Sequence, residues 1–321
     1  MTLNAKPIAV LALLACAFSA CTSDKDTPSG LGDDFSYDVS KYRKVDPSLL
    51  LFDEVDPIST GLAEPRGLAI DAADKLYIAG DEAIRILPLA GGEASEVALG
   101  AKPLCVAAAA DGTLYVGLRN HVEVYDPKGT RKASWEPLGD KAVLTAIAVA
   151  PKDVFVADAG NAVVVRYDTA GKIVHRIGRP DKEKSIPGLR VPSPYLDLAV
   201  GPEGLLWVAN PGRHRVEGYT FDGDLEVSWG KPSFAIDGFS GCCNPTNLAL
   251  LPGNRFVTSE KGLPRVKILS IEGKLESVVA GPDQFPKLDA GFDLAVDSKG
   301  RVLVLDPAAK SVRVFVRKAE K

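Results

Sequence analysis

Three histidines, one methionine and three tryptophans are all that this 321-residue chain contains of those types. Histidines scattered at 121, 175 and 214 leave little material for His-rich metal catalysis. The charge lacks a basic excess: 38 Lys and Arg stand against 42 Asp and Glu, which removes the electrostatic reason to expect nucleic acid or an anionic membrane surface as a partner. No Gly-rich phosphate loop occurs, and no Ser/His/Asp set that strand register would bring together. Sustained helical periodicity is also missing. What remains is ordinary globular composition, 46% hydrophobic and 25% charged.

The first twenty residues read as a leader. Lys6 precedes an apolar core at residues 8–18, which suits a secretory signal and is too short to span a bilayer as a helix. Phe18-Ser19-Ala20-Cys21 then resembles the bacterial lipobox, in which small residues precede a cysteine that is acylated and becomes N-terminal. A second match ends at Cys16, but apolar residues continue past it, so Cys21 is the expected lipidation site. Thr22 rather than Asp after that cysteine implies the periplasmic side of the outer membrane in a host with two membranes. Residues 21–45, rich in Asp, Ser, Lys and Gly, are expected to be a flexible tether.

From Pro65 onward a short apolar run, a turn containing Asp or Gly and a second apolar run recur. The first runs are Gly67-Leu68-Ala69-Ile70, Cys105-Val106-Ala107-Ala108, Ala146-Ile147-Ala148-Val149, Asp197-Leu198-Ala199-Val200, Asn247-Leu248-Ala249-Leu250 and Asp293-Leu294-Ala295-Val296. Second runs such as Leu76-Tyr77-Ile78-Ala79 and Leu206-Trp207-Val208-Ala209 follow, then third runs such as Val312-Arg313-Val314-Phe315. Short β-branched and aromatic segments between turn residues are strands. Six copies at roughly 40–50 residues have the spacing of propeller blades rather than of a sandwich.

The best copies, at residues 65–79, 154–171 and 292–315, resemble the NHL repeat. That resemblance implies an all-β, six-bladed β-propeller, here over residues 46–318. The last copy lacks an outer strand, and Leu49-Leu50-Leu51-Phe52-Asp53-Glu54-Val55 has no other place in the pattern. It is expected to complete the last blade and close the ring, because an open ring would leave a long sheet edge.

The resemblance also implies that the loops before each inner strand gather with the second-to-third-strand loops on one binding face around a channel. Two pre-strand loops are much longer than the rest, residues 179–194 and 230–245. Long insertions on a rigid repeat are functional more often than accidental. The second carries Gly241-Cys242-Cys243-Asn244-Pro245. For the cysteines these readings stand: a vicinal disulfide between Cys242 and Cys243, a thiolate metal or cofactor site of Cys242 and Cys243 with or without Cys105, or else structural thiols or a longer bridge from Cys105 to one of the pair. Asp197, Asn247 and Asp293 occupy matching positions and could hold Ca²⁺ or Mg²⁺ at the channel, or cap backbone N–H groups there. Glu64 could join either arrangement. Lys261 and Arg265, in a blade with two unusual loops, could hold an anionic group or form a surface ion pair with Glu260. His121 and His214 read as solvated loop residues.

The expected function is an extracytoplasmic, lipid-anchored binding module for a protein or small molecule on the channel face, at Cys105, Cys242, Cys243, Asn247, Lys261 and Arg265. The membrane would be touched only through the lipid. The alternative is a metal- or cofactor-dependent enzyme or redox component at the Cys242–Cys243 loop.

Overall fold

The structure is a computed structural model that describes residues 39–286 and 291–319. The leader, Cys21 and most of the tether lie outside the described residues. Among the described residues no helix is long and apolar enough to cross a membrane.

The apolar runs form strands that assemble, in chain order, into four-stranded antiparallel sheets. The first sheet is β2 (Pro65–Ile70), β3 (Lys75–Gly80), β4 (Ala83–Pro88) and β5 (Ser95–Ala98); the second is β6 (Cys105–Ala108), β7 (Leu114–Gly117), β8 (Val122–Tyr125) and β9 (Arg131–Ser134). The third is β10 (Leu144–Val149), β11 (Asp153–Asp158), β12 (Val163–Asp168) and β13 (Ile173–Ile177). The fourth is β14 (Leu198–Val200), β15 (Leu206–Asn210), β16 (Arg215–Tyr219) and β17 (Leu225–Trp229). The fifth is β18 (Asn247–Leu251), β19 (Arg255–Glu260), β20 (Arg265–Leu269) and β21 (Leu275–Ala280). The sixth is β22 (Leu294–Val296), β23 (Val302–Asp306), β24 (Ser311–Arg317) and, from the start of the chain, β1 (Phe52–Ser59).

The innermost strands touch in a ring, β2 to β6, β10, β14, β18, β22 and back to β2. This is a six-bladed β-propeller.

Its cores lie between neighbouring blades, because each sheet is apolar on both faces. Trp207 of the fourth blade meets Phe256 of the fifth edge-on at 4.8 Å. Leu76 and Ile78 of the first blade pack with Leu303 and Leu305 of the sixth, all four wholly buried, across the join of the ring. Burying one such side chain stabilises by roughly 1.5–3 kcal/mol.

The hairpin aspartates have a local role. Asp71 Oδ1 accepts from Ala73 N and Lys75 N, and Asp126, Asp168 and Asp297 do the same two and four residues on. In the fifth blade Ser270 Oγ takes that part for Glu272 N and Lys274 N. Gly273 in that turn has φ +78°, and a Cβ there would lie 2.5 Å from the Trp229 ring.

The closing strand begins later than Leu49. Pro47–Leu49 is a 3₁₀ turn whose Ser48 N donates to Asp46 Oδ1, and β1 starts at Phe52. β1 pairs with β24 from Phe52↔Arg317 to Ser59↔Ser311, with an irregularity between Val55 and Ile58 around Pro57. An outermost strand tolerates proline because one side of it has no ladder to feed. Residues just before it, assigned to the tether by composition, also pack on the blades: Tyr42 stacks on Phe234 and Arg43 Nε donates to Asp283 Oδ1 at 3.0 Å.

Candidate functional site

The chain enters every inner strand from the same face. Residues just before or at those entries, Pro65, Leu104, Val143, Tyr195, Asn247 and Gly291, line one cavity of about 710 Å³, together with Arg119 and Pro307 from second-to-third-strand loops. The sequence-predicted face is therefore where the cavity lies. Glu64 stands at its rim, accepting from Arg66 NH2 at 3.1 Å and Lys102 Nζ at 3.0 Å, and these partners hold its carboxyl below the ordinary value. Arg119 lines the same cavity, is exposed, and has no acidic partner among the described residues.

The cavity floor is Asp293 and Asn247, with Asp197 nearby. Asp293 accepts from Leu68 N (2.7 Å) and Leu294 N (2.9 Å), and Asp197 from Leu198 N and Leu248 N (2.8 Å each). Each carboxylate thereby latches its own inner strand to another: blade six to blade one, and blade four to blade five. Asn247 Nδ2 donates to Asp293 Oδ1 at 3.4 Å, while Asn247 Oδ1 is buried without a partner. Among the described residues no three His, Cys, Asp or Glu side chains gather in metal-binding geometry. Backbone donors already occupy all four carboxylate oxygens.

Burial and the neighbouring Asp293 charge push Asp197 up, and burial pushes Asp293 up to about 6 despite its backbone donors. An acid with a raised pKa holds its proton more tightly when folded. Its contribution to stability is complete below the unfolded value of 3.8 and is lost as pH rises through about 6. For Asp293 this amounts to about 3 kcal/mol. The melting temperature of the wild type is expected to rise from pH 7 to pH 5, and Asp293→Asn to reduce that rise. An unchanged slope in Asp293→Asn, followed by calorimetry, would contradict the assignment.

Cys105 opens β6 as expected, but it lines the channel below the cavity, and burial raises its thiol well above the ordinary value. All three cysteines among the described residues are free thiols. The vicinal disulfide is thus corrected: Cys242 Sγ and Cys243 Sγ lie 3.4 Å apart, a thiol–thiol contact rather than a bond. Nor does Cys105 bridge to the pair.

The loop carrying the pair is fastened from several sides. Asn244 Nδ2 donates to Ser240 O and Lys261 O, and Asn244 Oδ1 accepts from Lys261 N. His214, expected to be solvated, instead places Nε2 2.7 Å from Gly241 O. His121 Nδ1 lies 3.0 Å from Oδ1 of its neighbour Asn120. Cys243 is buried and Cys242 exposed. Burial alone would raise the Cys243 thiol, but the Ser193 hydroxyl, the Cys242 thiol and the Lys261 ammonium outweigh it and bring it below the ordinary value. Sharing a hydrogen bond with Cys243 pushes Cys242 up. Lys261 Nζ also lies 4.8 Å over the Tyr195 ring, so the thiol pair adjoins the cavity wall without lining it.

Arg265 requires a second correction. It pairs with Glu260, but neither side chain is exposed at all, so the ion pair is a buried one and Arg265 offers nothing to a ligand. Strand alternation puts Lys267 on the same face, where it reaches Glu260 at 2.8 Å. Glu260 also accepts from Ser240 N and Oγ. The two cations donate to the carbonyls of Phe234, Ala235, Ile236 and Gly238, so the 230–245 insertion is folded around them. Lys267, Ser193 and Tyr195 were not singled out from the sequence, whereas Arg119 stands beside His121 in a loop expected on the binding face. Ser193 and Tyr195 lie in or beside the long loop at 179–194, which was singled out.

No protein-family model matches the chain, and no curated protein matches it in sequence. Among solved structures it is similar to a catalytically inactive virginiamycin B lyase from Staphylococcus aureus with quinupristin: TM-score 0.58, 14% identity, 83% of this chain and 98% of that one. A streptogramin B lyase gives TM-score 0.58 at 12% identity over 85% and 100% of the two chains. A protein of unknown function from Bacteroides thetaiotaomicron gives 0.57 at 15% over 82% and 72%. At these identities the likeness is one of fold, the six-bladed propeller.

Proposed function

We propose that the chain is an NHL-type, lipid-anchored propeller of the cell envelope, tethered through Cys21, that binds a small organic anion at the mouth of its channel. The observation that carries this reading is the cavity of about 710 Å³ to which all six blades contribute, with Arg119 free at its edge and Asn247 Oδ1 buried and unpartnered at its floor. Binding pockets run about 300–1,000 Å³ and fix orientation with a few convergent polar groups. Arg119 supplies a guanidinium for a carboxylate, Asn247 an acceptor for a hydroxyl or amide, and Tyr195 a ring face.

The test is a thermal-shift and calorimetric series with aromatic hydroxycarboxylates. Saturable binding is expected, weakened about tenfold or more by Arg119→Ala, the loss of one charge-assisted hydrogen bond. Equal binding by wild type, Arg119→Ala and Asn247→Ala would reject the cavity as the site. A second reading, chemistry at the Cys242–Cys243 loop, is favoured by one specific observation, the approach of its two free sulfurs to 3.4 Å.

A further inference from the structure

We propose that Cys242 and Cys243 form a bidentate dithiol site, separate from the cavity, that captures a trivalent thiophilic centre of the arsenous-acid class by condensation. The sulfurs are 3.4 Å apart. Two bonds of about 2.3 Å, typical of sulfur on a soft centre, span that gap at an angle of about 95°, the angle of a pyramidal trivalent atom. A tetrahedral ion with the same bond length would need about 3.8 Å, and also two further protein ligands. Among the described residues no third His, Cys, Asp or Glu joins the pair.

The loop holds this spacing before any ligand arrives. Asn244 clamps it to Ser240 and Lys261, Ser240 is bonded to Glu260, and His214 holds Gly241 O. Little conformational freedom remains to be lost on capture, which favours affinity. Cys242 is exposed and Cys243 is buried, so the pair is reached through Cys242. Ser193 Oγ, buried and with no hydrogen bond of ordinary geometry, lies near the Cys243 sulfur.

The step balances without an oxidant. Each thiol gives up its hydrogen, two hydroxyls leave the trivalent centre, two sulfur bonds form, and two waters are released. With phenylarsine oxide the single oxygen leaves as one water. The product carries no added charge, so the Lys261 ammonium does not oppose it, whereas it would repel a divalent cation. Before bond formation that ammonium favours the thiolate, the attacking species.

The probe is phenylarsine oxide, titrated into the full folded chain kept reduced by a thiol-free phosphine and read by intact mass and thiol count. One adduct is expected at this loop, located by peptide mapping, with the 242 and 243 thiols consumed and Cys105 untouched. Cys242→Ser and Cys243→Ser should each weaken retention by about 100-fold or more, the loss of the second arm of a chelate. Lys261→Met should slow capture at neutral pH, with the difference closing at alkaline pH. Arg119→Ala should capture normally, so failure of the cavity reading and failure of this one are distinguishable. Unchanged retention in both single-serine variants, or Cys242 and Cys243 both still free by peptide mapping after titration of a wild type that melts normally, would overturn the proposal.

Discussion

A chain beginning at Leu62 is expected to lose most of its stability, although it retains all four strands of five blades. It would lack β1, and with it the six-pair ladder that covers β24 from Phe52↔Arg317 to Ser59↔Ser311. Arg313 would lose Glu54, which it grips through Nε at 2.7 Å and NH2 at 2.6 Å. That guanidinium is nearly buried, packed against the rings of Phe285 and Phe315, so it would be left without its counter-charge. Phe52 would leave the core between the fifth and sixth blades. Ladder hydrogen bonds at about 1 kcal/mol net each and one buried aromatic at about 2 kcal/mol sum to several kcal/mol. A domain has only about 5–15 kcal/mol in total. Denaturant melts should show a large fall in midpoint or a loss of cooperativity. A midpoint equal to that of the full domain would show that the ring does not depend on this strand.

Glu260→Gln is the second large effect. Five donor groups converge on this carboxylate: Ser240 N and Oγ, two nitrogens of Arg265, and Lys267 Nζ. Neutralising it leaves two buried cations without a counter-charge, facing carbonyl oxygens and, for Lys267, the Phe239 ring. Removing one partner of a buried pair typically costs about 3–5 kcal/mol. Lys267→Met makes the contrast, since it leaves Arg265 and Glu260 as a neutral pair. Burial already presses the Lys267 ammonium toward its neutral form, and Arg265 adds to that pressure. Urea melts should therefore rank Glu260→Gln well below Lys267→Met. The reverse order would mean that the carbonyls of the insertion, rather than Glu260, hold the two cations. Because the insertion also carries Cys242 and Cys243, Glu260→Gln should make both thiols faster to alkylate.

Blade number and strand order were legible because they depend on local matter: period-two apolar runs, and turns that Asp or Ser closes through its own side chain. Asp71 and Asp126 do the same work in the same place, so the repeat is visible in one dimension. The closing strand was legible as a leftover, but its start was not, since Pro47 and Asp46 begin a 3₁₀ turn that composition does not distinguish from an extended end. Buried charge was the hardest feature. Lys and Arg are almost never fully buried, so Arg265 reads as a surface residue until the loop that covers it is in place. The signal available was the spacing of Arg265 and Lys267 by two on one strand, opposite a carboxylate and beneath a sixteen-residue insertion at 230–245. The cavity residues come from six separate entries to inner strands. Their meeting is a property of the ring, not of any stretch of chain.

The central claim, that the channel mouth is the binding site, is tested most directly by a crystal structure of the chain with an aromatic hydroxycarboxylate that binds in the calorimetric series. The carboxylate is expected on Arg119, the ring against Tyr195 and a donor group on Asn247 Oδ1. A ligand seated elsewhere, with the cavity holding only water, would contradict it.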